Sequence, residues 1–267
     1  MDLTEHNLKA ALRRKKIGEP VYFFPATDST NAQALRLAEA GASEGTVVIA
    51  DTQTEGRGRM KRTWFAPPAL NLYASIILKP SFDAALSSPL TIMAGVAVAE
   101  LLSSYCPRGV RLKWPNDVLI NNRKVSGILT EIKTFGKEVE FVVLGIGINI
   151  NMKRDDCDPS FELIATSLKE ETGRDVSRLD LAVRLFDKVG KYYQLLCRGG
   201  MAAIRELWIE YAQLLGKYVE VTFGGEVCGG VVAGMDEMGA LTITADDGGK
   251  RRVIAGDVVI IEGRQCF

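Results

Sequence analysis

The stretch Gln53-Thr54-Glu55-Gly56-Arg57-Gly58-Arg59-Met60-Lys61-Arg62-Thr63-Trp64 combines two glycines, four cations and one indole. Gly56 and Gly58 let the backbone turn successive N–H groups toward one point, an anion-binding nest. The guanidiniums of Arg57 and Arg59 add charge and bidentate donors for phosphate or carboxylate oxygens. Trp64 offers a flat face on which an aromatic base can stack. A solvated basic loop is the ordinary expectation for a Gly/Arg run alone, and arginine with an aromatic is also the vocabulary of single-stranded nucleic-acid binding. Lys113-Trp114-Pro115-Asn116-Asp117 and Arg123-Lys124-Val125-Ser126-Gly127-Ile128-Leu129 follow. Lys113 and Lys124 would each pass for surface lysines, but Gly127 in mid-strand marks a close approach by a ligand or another chain. Gly145-Ile146-Gly147-Ile148-Asn149 leaves one strand face bare of side chains, room for a flat apolar ligand or a tightly packed helix. Asp28-Ser29-Thr30-Asn31 has N-capping chemistry, and its hydroxyls and amide could equally recognise a small polar head group.

Counts exclude much else. The single histidine, His6, lies in a polar N-terminal segment, so Ser-His-Asp, Cys-His and His-ligated metal chemistry are set aside and no metal-ligating set is assigned. Five scattered cysteines without a CxxC pair point to reduced thiols. Lys+Arg and Asp+Glu both number 33, so no bulk basic field grips nucleic acid or a membrane. Neither GxGxxG nor GxxxxGK[ST] occurs, which argues against an ordinary dinucleotide or P-loop enzyme. The opening residues lack a signal peptide's apolar stretch and no run could span a bilayer, so a cytoplasmic protein is expected.

The elements that must hold these residues alternate. Helices are expected over 4–15, from about 30 to 40, from Ser88-Pro89 to about 105, over 164–172, 178–197 and 201–214. Strands are expected at 21–24, 46–50, 72–78, 110–114, 118–120, 124–133 and 139–150, with Asn121-Asn122 as a type I′ hairpin turn. Residues 52–68 have no apolar period, and a long loop in a compact domain is itself a functional hint. After Gly216, short β runs split by Gly pairs read as a small antiparallel barrel. The expected fold class is α+β: a central mixed, largely antiparallel sheet with helices over 1–214, and a small β-barrel over 215–267.

In this order the motifs resemble those of the bacterial biotin–protein ligases (biotin–[acetyl-CoA-carboxylase] ligases): TDSTN at 27–31, QxxGRGR at 53–59 with Trp64, KWPND at 113–117, RKVSGIL at 123–129 and GIGIN at 145–149. The resemblance implies a class II synthetase-like catalytic fold with a C-terminal SH3-like module. The implied reaction adenylates biotin with Mg-ATP to biotinyl-5′-AMP, then transfers biotin to a lysine of a biotin carboxyl carrier protein of acetyl-CoA carboxylase or a related carboxylase. It implies that Ser29, Thr30, Asn31 and Gln53 lie along the biotin ring system. Gly56, Arg57, Gly58 and Arg59 would form a closing loop, with Trp64 covering adenine. Lys124 would bind carboxylate and phosphate, with Lys113 nearby. Gly127, Leu129, Gly145 and Gly147 would line the apolar slot, Asn149 would reach the nucleotide or its metal, and Asp117 would act near the attacking amine. Lys124, Arg57, Arg59 and Asp117 are thus the expected catalytic set.

Charge physics fits that assignment. A carboxylate and a triphosphate repel in a dry site, and Lys124, Arg57 and Arg59 can offset the repulsion. The nucleophile is already ionised near neutral pH, so the first step needs no histidine. The mixed anhydride must be kept from water, a task for a loop at 52–68. The family's run commonly continues with a basic residue and Gly where Met60 and Lys61 stand, and its C-terminal arginine has no clear match, Arg264 lying too far along. Regulatory members carry an N-terminal operator-binding domain. With about 20 residues before the first core strand, the expectation is a ligase without operator DNA. A homodimer through sheet edges accords with the resemblance. The alternatives are a lipoate or octanoate–protein ligase and a nucleic-acid-binding protein.

Overall fold

The structure, a computed structural model, describes residues 2–80, 87–136, 138–156 and 164–261. Val47-Val48-Ile49-Ala50 and the LYASIIL run offer no polar face, so as strands they must be covered on both sides. Each is buried throughout, as β2 (Val47–Ala50) and β3 (Leu72–Leu78). With β1 (Val21–Phe24), β4 (Val110–Lys113), β5 (Asp117–Ile120), β6 (Arg123–Phe135) and β7 (Glu138–Ile148) they form a seven-stranded sheet in the order β1-β2-β3-β7-β6-β5-β4. Only β1 and β2 run parallel. The expected mixed, largely antiparallel α+β layout is what forms.

Two layers cover the sheet. The helices are α1 (Glu5–Leu12), α2 (Thr30–Glu39), α3 (Ser87–Ser103), α4 (Leu168–Thr172), α5 (Arg178–Gly199) and α6 (Ala202–Ala212). On one face Ile76, Ile128, Leu144, Ile146 and Ile148 join the apolar residues of α3 and α5 in the main core. On the other, Val48, Ile77, Phe141 and Val143 pack against Ala34 and Ala38 of α2. Successive strand residues point to opposite faces. Hence Ile146 and Ile148 enter the main core while Gly145 and Gly147 open the α2 face. Asn121 and Asn122 take φ of 50° and 63°, the paired positive values of a type I′ turn.

Two boundaries differ from expectation. The helix expected from 164 begins at Leu168, because Ser167 caps it by accepting from Glu170 N–H. Residues 164–166 instead run beside β6: Lys124 N–H donates to Ile164 O (2.8 Å) and Thr166 N–H to Lys124 O (2.9 Å). The helix expected from Ser88-Pro89 starts at Ser87, leaving the proline in the first turn, where no N–H partner is lost.

The Gly-punctuated tail forms β8 (Tyr218–Phe223), β9 (Glu226–Met235), β10 (Leu241–Ala245), β11 (Lys250–Val253) and β12 (Asp257–Ile260), an antiparallel sheet in the order β11-β10-β9-β8-β12. This fits the expected C-terminal β module. It is fastened to the first sheet: Val219, Val221, Ile243 and Val258 belong to the main apolar cluster. Buried Trp114 donates Nε1–H to Gly239 O at 3.0 Å.

Candidate functional site

The floor of the site is backbone. Gly127 pairs with Gly147 and Leu129 with Gly145 across β6 and β7, so the glycines form a shallow depression with Leu129 at its edge. The Trp64 indole lies in it. A Cβ on Gly147 would stand 2.7 Å from Trp64 Cε2, and one on Gly127 2.8 Å from Cζ3, distances no side chain tolerates. A Cβ on Gly145 would stand 2.2 Å from Asn31 Oδ1. The packed-helix reading of this bare face holds at Gly145, against α2, while at Gly127 and Gly147 the face is covered by the protein's own Trp64 ring. The ring is delivered by a small hairpin in which Arg57 bridges Thr63, Gly58 N–H donates to Arg62 O (2.7 Å) and Trp64 N–H to Gly56 O (2.9 Å). Trp64 Nε1 is buried without an acceptor, a donor whose desolvation goes uncompensated.

One end of the depression is polar and buried. Ser29, Thr30 and Asn31 are 2%, 4% and 4% exposed. They open α2, but Ser29 makes no side-chain cap. Instead Thr30 N–H donates to Gln53 Oε1 (2.8 Å), with the Thr30 hydroxyl 3.1 Å from the same oxygen, and Asn31 Nδ2 donates to Glu131 Oε2 (2.7 Å). The Ser75 hydroxyl donates its one proton to Asn31 Oδ1 (2.6 Å) and lies 2.8 Å from Thr30 Oγ1, from which it accepts. Burial pushes the Asp28 carboxyl up, but the Ser29 N–H, the Thr27 hydroxyl and Arg36 hold it below its ordinary value.

The other end is cationic. Lys124 Nζ sits 2.7 Å from Asp117 Oδ1 and 5.4 Å from the Trp64 ring centroid. Asp117 Oδ1 is buried without an aligned hydrogen bond, so this contact is an ion pair only. Arg59 donates to Asn116 Oδ1 (3.1 Å), whose Nδ2 is fixed on Ile128 O (3.0 Å). Burial pulls the Arg59 guanidinium below its ordinary value while Asp257 and Asp117 push it up. Arg57 is half exposed, 4.0 Å from Glu55, and Arg62 pairs with Asp257 of β12. Asn149 donates Nδ2–H to Thr166 O (3.0 Å), leaving Oδ1 as its other end.

These groups line one cleft of about 780 Å³. Ser29, Thr30, Asn31, Gln53, Arg57, Gly58, Arg59, Trp64, Lys113, Asp117, Lys124, Gly127, Leu129, Gly145, Gly147 and Asn149 all reach its wall. Gly56 does not. It lies behind the wall, where a Cβ would stand 2.4 Å from Trp64 O. Tyr73, Asn116 and Asp257 also line the cleft and were not predicted. Ser75 was missed too, although the one serine in the otherwise apolar β3 run was a visible signal. Asp257 carried none, since its place depends on how the two sheets dock. Among the described residues no three His, Cys, Asp or Glu side chains converge as metal ligands, and no helix is long and apolar enough to cross a membrane.

Residues 23–149 match the biotin/lipoate A/B protein ligase family. A biotin–[acetyl-CoA-carboxylase] ligase of Paracoccus denitrificans is 36% identical over 242 residues, covering 89% of this chain and 98% of that protein. The chain belongs to this family. The bifunctional ligase/repressor BirA of Bacillus spizizenii is 33% identical over 249 residues, 93% of this chain and 77% of that protein. Among solved structures, the biotin protein ligase of Aquifex aeolicus in complex with biotin and ATP superposes with a TM-score of 0.76 at 29% identity, covering 90% of this chain and 98% of that one. Every site residue expected from the sequence falls inside the family-matched segment, whereas Asp257 falls outside it.

Proposed function

We propose that this ligase joins biotin to ATP in the cleft and passes the biotinyl group to a carrier-domain lysine of acetyl-CoA carboxylase or a related carboxylase. The single observation that carries the reading is the layout of the cleft: a buried amide–hydroxyl end, a glycine floor and a cationic end, in line. A bicyclic urea with an apolar chain and a terminal carboxylate has that same sequence of parts.

In the first step a biotin carboxylate oxygen attacks the α-phosphorus of Mg-ATP, and the bond to the bridging oxygen breaks, releasing pyrophosphate. Lys124 stands where carboxylate and phosphate meet. Arriving anions compete for it with Asp117, and Arg57 and Arg59 offset charge on the phosphoryl oxygens. In the second step the carrier amine attacks the acyl carbon, the acyl–oxygen bond breaks, AMP leaves and Asp117 accepts or relays the amine proton. Mg²⁺, an ion that prefers phosphate oxygens and keeps its waters, would be brought by the nucleotide and would neutralise charge on its phosphates. Asn149 Oδ1, the end of the amide not engaged by Thr166, would serve the nucleotide or that ion. Trp64 lifts from the floor to admit the biotin rings and then covers the adenine. The scheme uses neither operator DNA nor a membrane, and it suits a cytoplasmic catalytic unit over 1–214 with the β module over 215–267. A homodimer through a sheet edge is compatible with it.

Pyrophosphate–ATP exchange tests the assignment. Biotin should stimulate exchange. Stimulation by lipoate or octanoate and not by biotin would transfer the chain to the other branch of its family, and salt-sensitive nucleic-acid binding without ATP turnover would remove it from catalysis.

A further inference from the structure

Ser75 is fully buried at mid-strand on β3, its hydroxyl touching two of the polar groups at the closed end of the cleft. Hydrogen-bond accounting fixes what those groups can offer a ligand. Glu131 Oε2 and Leu129 O are acceptors, so the end of Asn31 facing them, at 2.7 and 3.3 Å, must be Nδ2, and Oδ1 must face Ser75. Thr30 N–H is a donor, so the end of Gln53 that receives it at 2.8 Å must be Oε1. Gln53 Nε2 is left for the cleft. The Thr30 hydroxyl has one proton, which is taken within the protein: Gln53 Oε1 lies at 3.1 Å and Ser75 Oγ at 2.8 Å. With its proton spent, Thr30 Oγ1 offers the cleft a lone pair only.

We propose that Ser75, with Glu131, is a positioning pair: together they hold Asn31, Ser75 Oγ accepts from the Thr30 hydroxyl, and Thr30 so held presents an acceptor beside the donor that its own N–H fixes on Gln53. That order suits a cyclic urea, whose carbonyl needs donors and whose N–H groups need acceptors. It is the wrong order for a ring that reverses either role. The inference rests on the biotin reading and adds to it the source of the discrimination. A buried network of this kind is all or nothing. Removing the Ser75 hydroxyl leaves Asn31 Oδ1 without its donor and frees Thr30 to rotate, so polarity is lost as well as contact.

The test compares Ser75→Ala with wild type in biotin-dependent pyrophosphate exchange, using biotin and 2-iminobiotin, in which an imine replaces the urea carbonyl. Ser75→Ala should raise KM for biotin about ten-fold, leave kcat and KM for ATP within about two-fold, and narrow the preference for biotin over 2-iminobiotin at least five-fold. General damage to the fold would weaken both ligands equally and keep their ratio, and that outcome overturns the proposal. If Ser75→Ala does not fold, Ser75→Cys supplies the same comparison: its weaker S–H donor should give an intermediate ratio, and a wild-type ratio refutes the role. A wild-type enzyme indifferent to biotin would instead defeat the functional reading and is seen before any variant is made.

Discussion

Across the cleft, the sheet floor and the 52–68 loop hold their residues by different means. At the buried polar end of the floor Ser75, Thr30 and Asn31 are nearly solvent-free, and each is bonded to another buried group. The loop is held by a short hairpin, and Arg57, Lys61 and Arg62 lie in water while Arg59 is half-buried; Arg62 reaches Asp257 with 63% of its side chain exposed. Met60 and Lys61 also take left-handed φ of 55° and 61°, a conformation costing about 1 kcal/mol or more for a residue with a Cβ. The directional hydrogen-bonding groups are thus in the packed part, where a misplaced donor is expensive. Most of the cations that line the cleft sit on the more exposed loop.

Substitutions should separate the two. Lys124→Ala removes the cation from the meeting point of two anions and should slow adenylation by about 10²–10³-fold. Its melting temperature should stay within a few degrees of wild type, since the pair with Asp117 is partly exposed. Near-normal rates in a presteady-state assay would refute its role. Gly147→Ala places a methyl 2.7 Å from the Trp64 ring. Overpacking costs about 1–3 kcal/mol, and calorimetry should show biotin affinity falling by a comparable factor. Unaltered binding would mean that the floor does not carry the ligand. The smallest effect belongs to Asp257→Asn. An exposed pair with Arg62 is worth less than about 1 kcal/mol and fades with salt, so a slight rise in loop proteolysis at low ionic strength, absent at high, is expected. A large change would show that the β module fixes the loop more firmly than an exposed ion pair can.

The floor and the loop also differed in how far the sequence revealed them. Gly145, Gly147 and Gly127 announced a bare strand face, and the type I′ turn was written in Asn121-Asn122, because both are local properties of the chain. The cation-rich loop was visible as an interruption of apolar period. What each cation touches was not. Arg59 on Asn116, Arg62 on Asp257 and Lys124 on Asp117 depend on strand order and on the docking of the second sheet. Ser29 holds the N-cap position of α2 without a side-chain cap bond, and the sequence left capping and head-group recognition both open because they use the same residue types. The segment 164–167 read as helix for a similar reason: its pairing with Lys124 comes from residues 40 positions away.

The most direct test is a crystal structure with biotinyl-5′-AMP. The account predicts the urea ring against Ser29, Thr30 and Gln53, the acyl phosphate within hydrogen-bond reach of Lys124 Nζ, and Trp64 moved off Gly127 and Gly147. An adenylate bound with its phosphate away from Lys124, or with the indole still seated on the glycines, would contradict it.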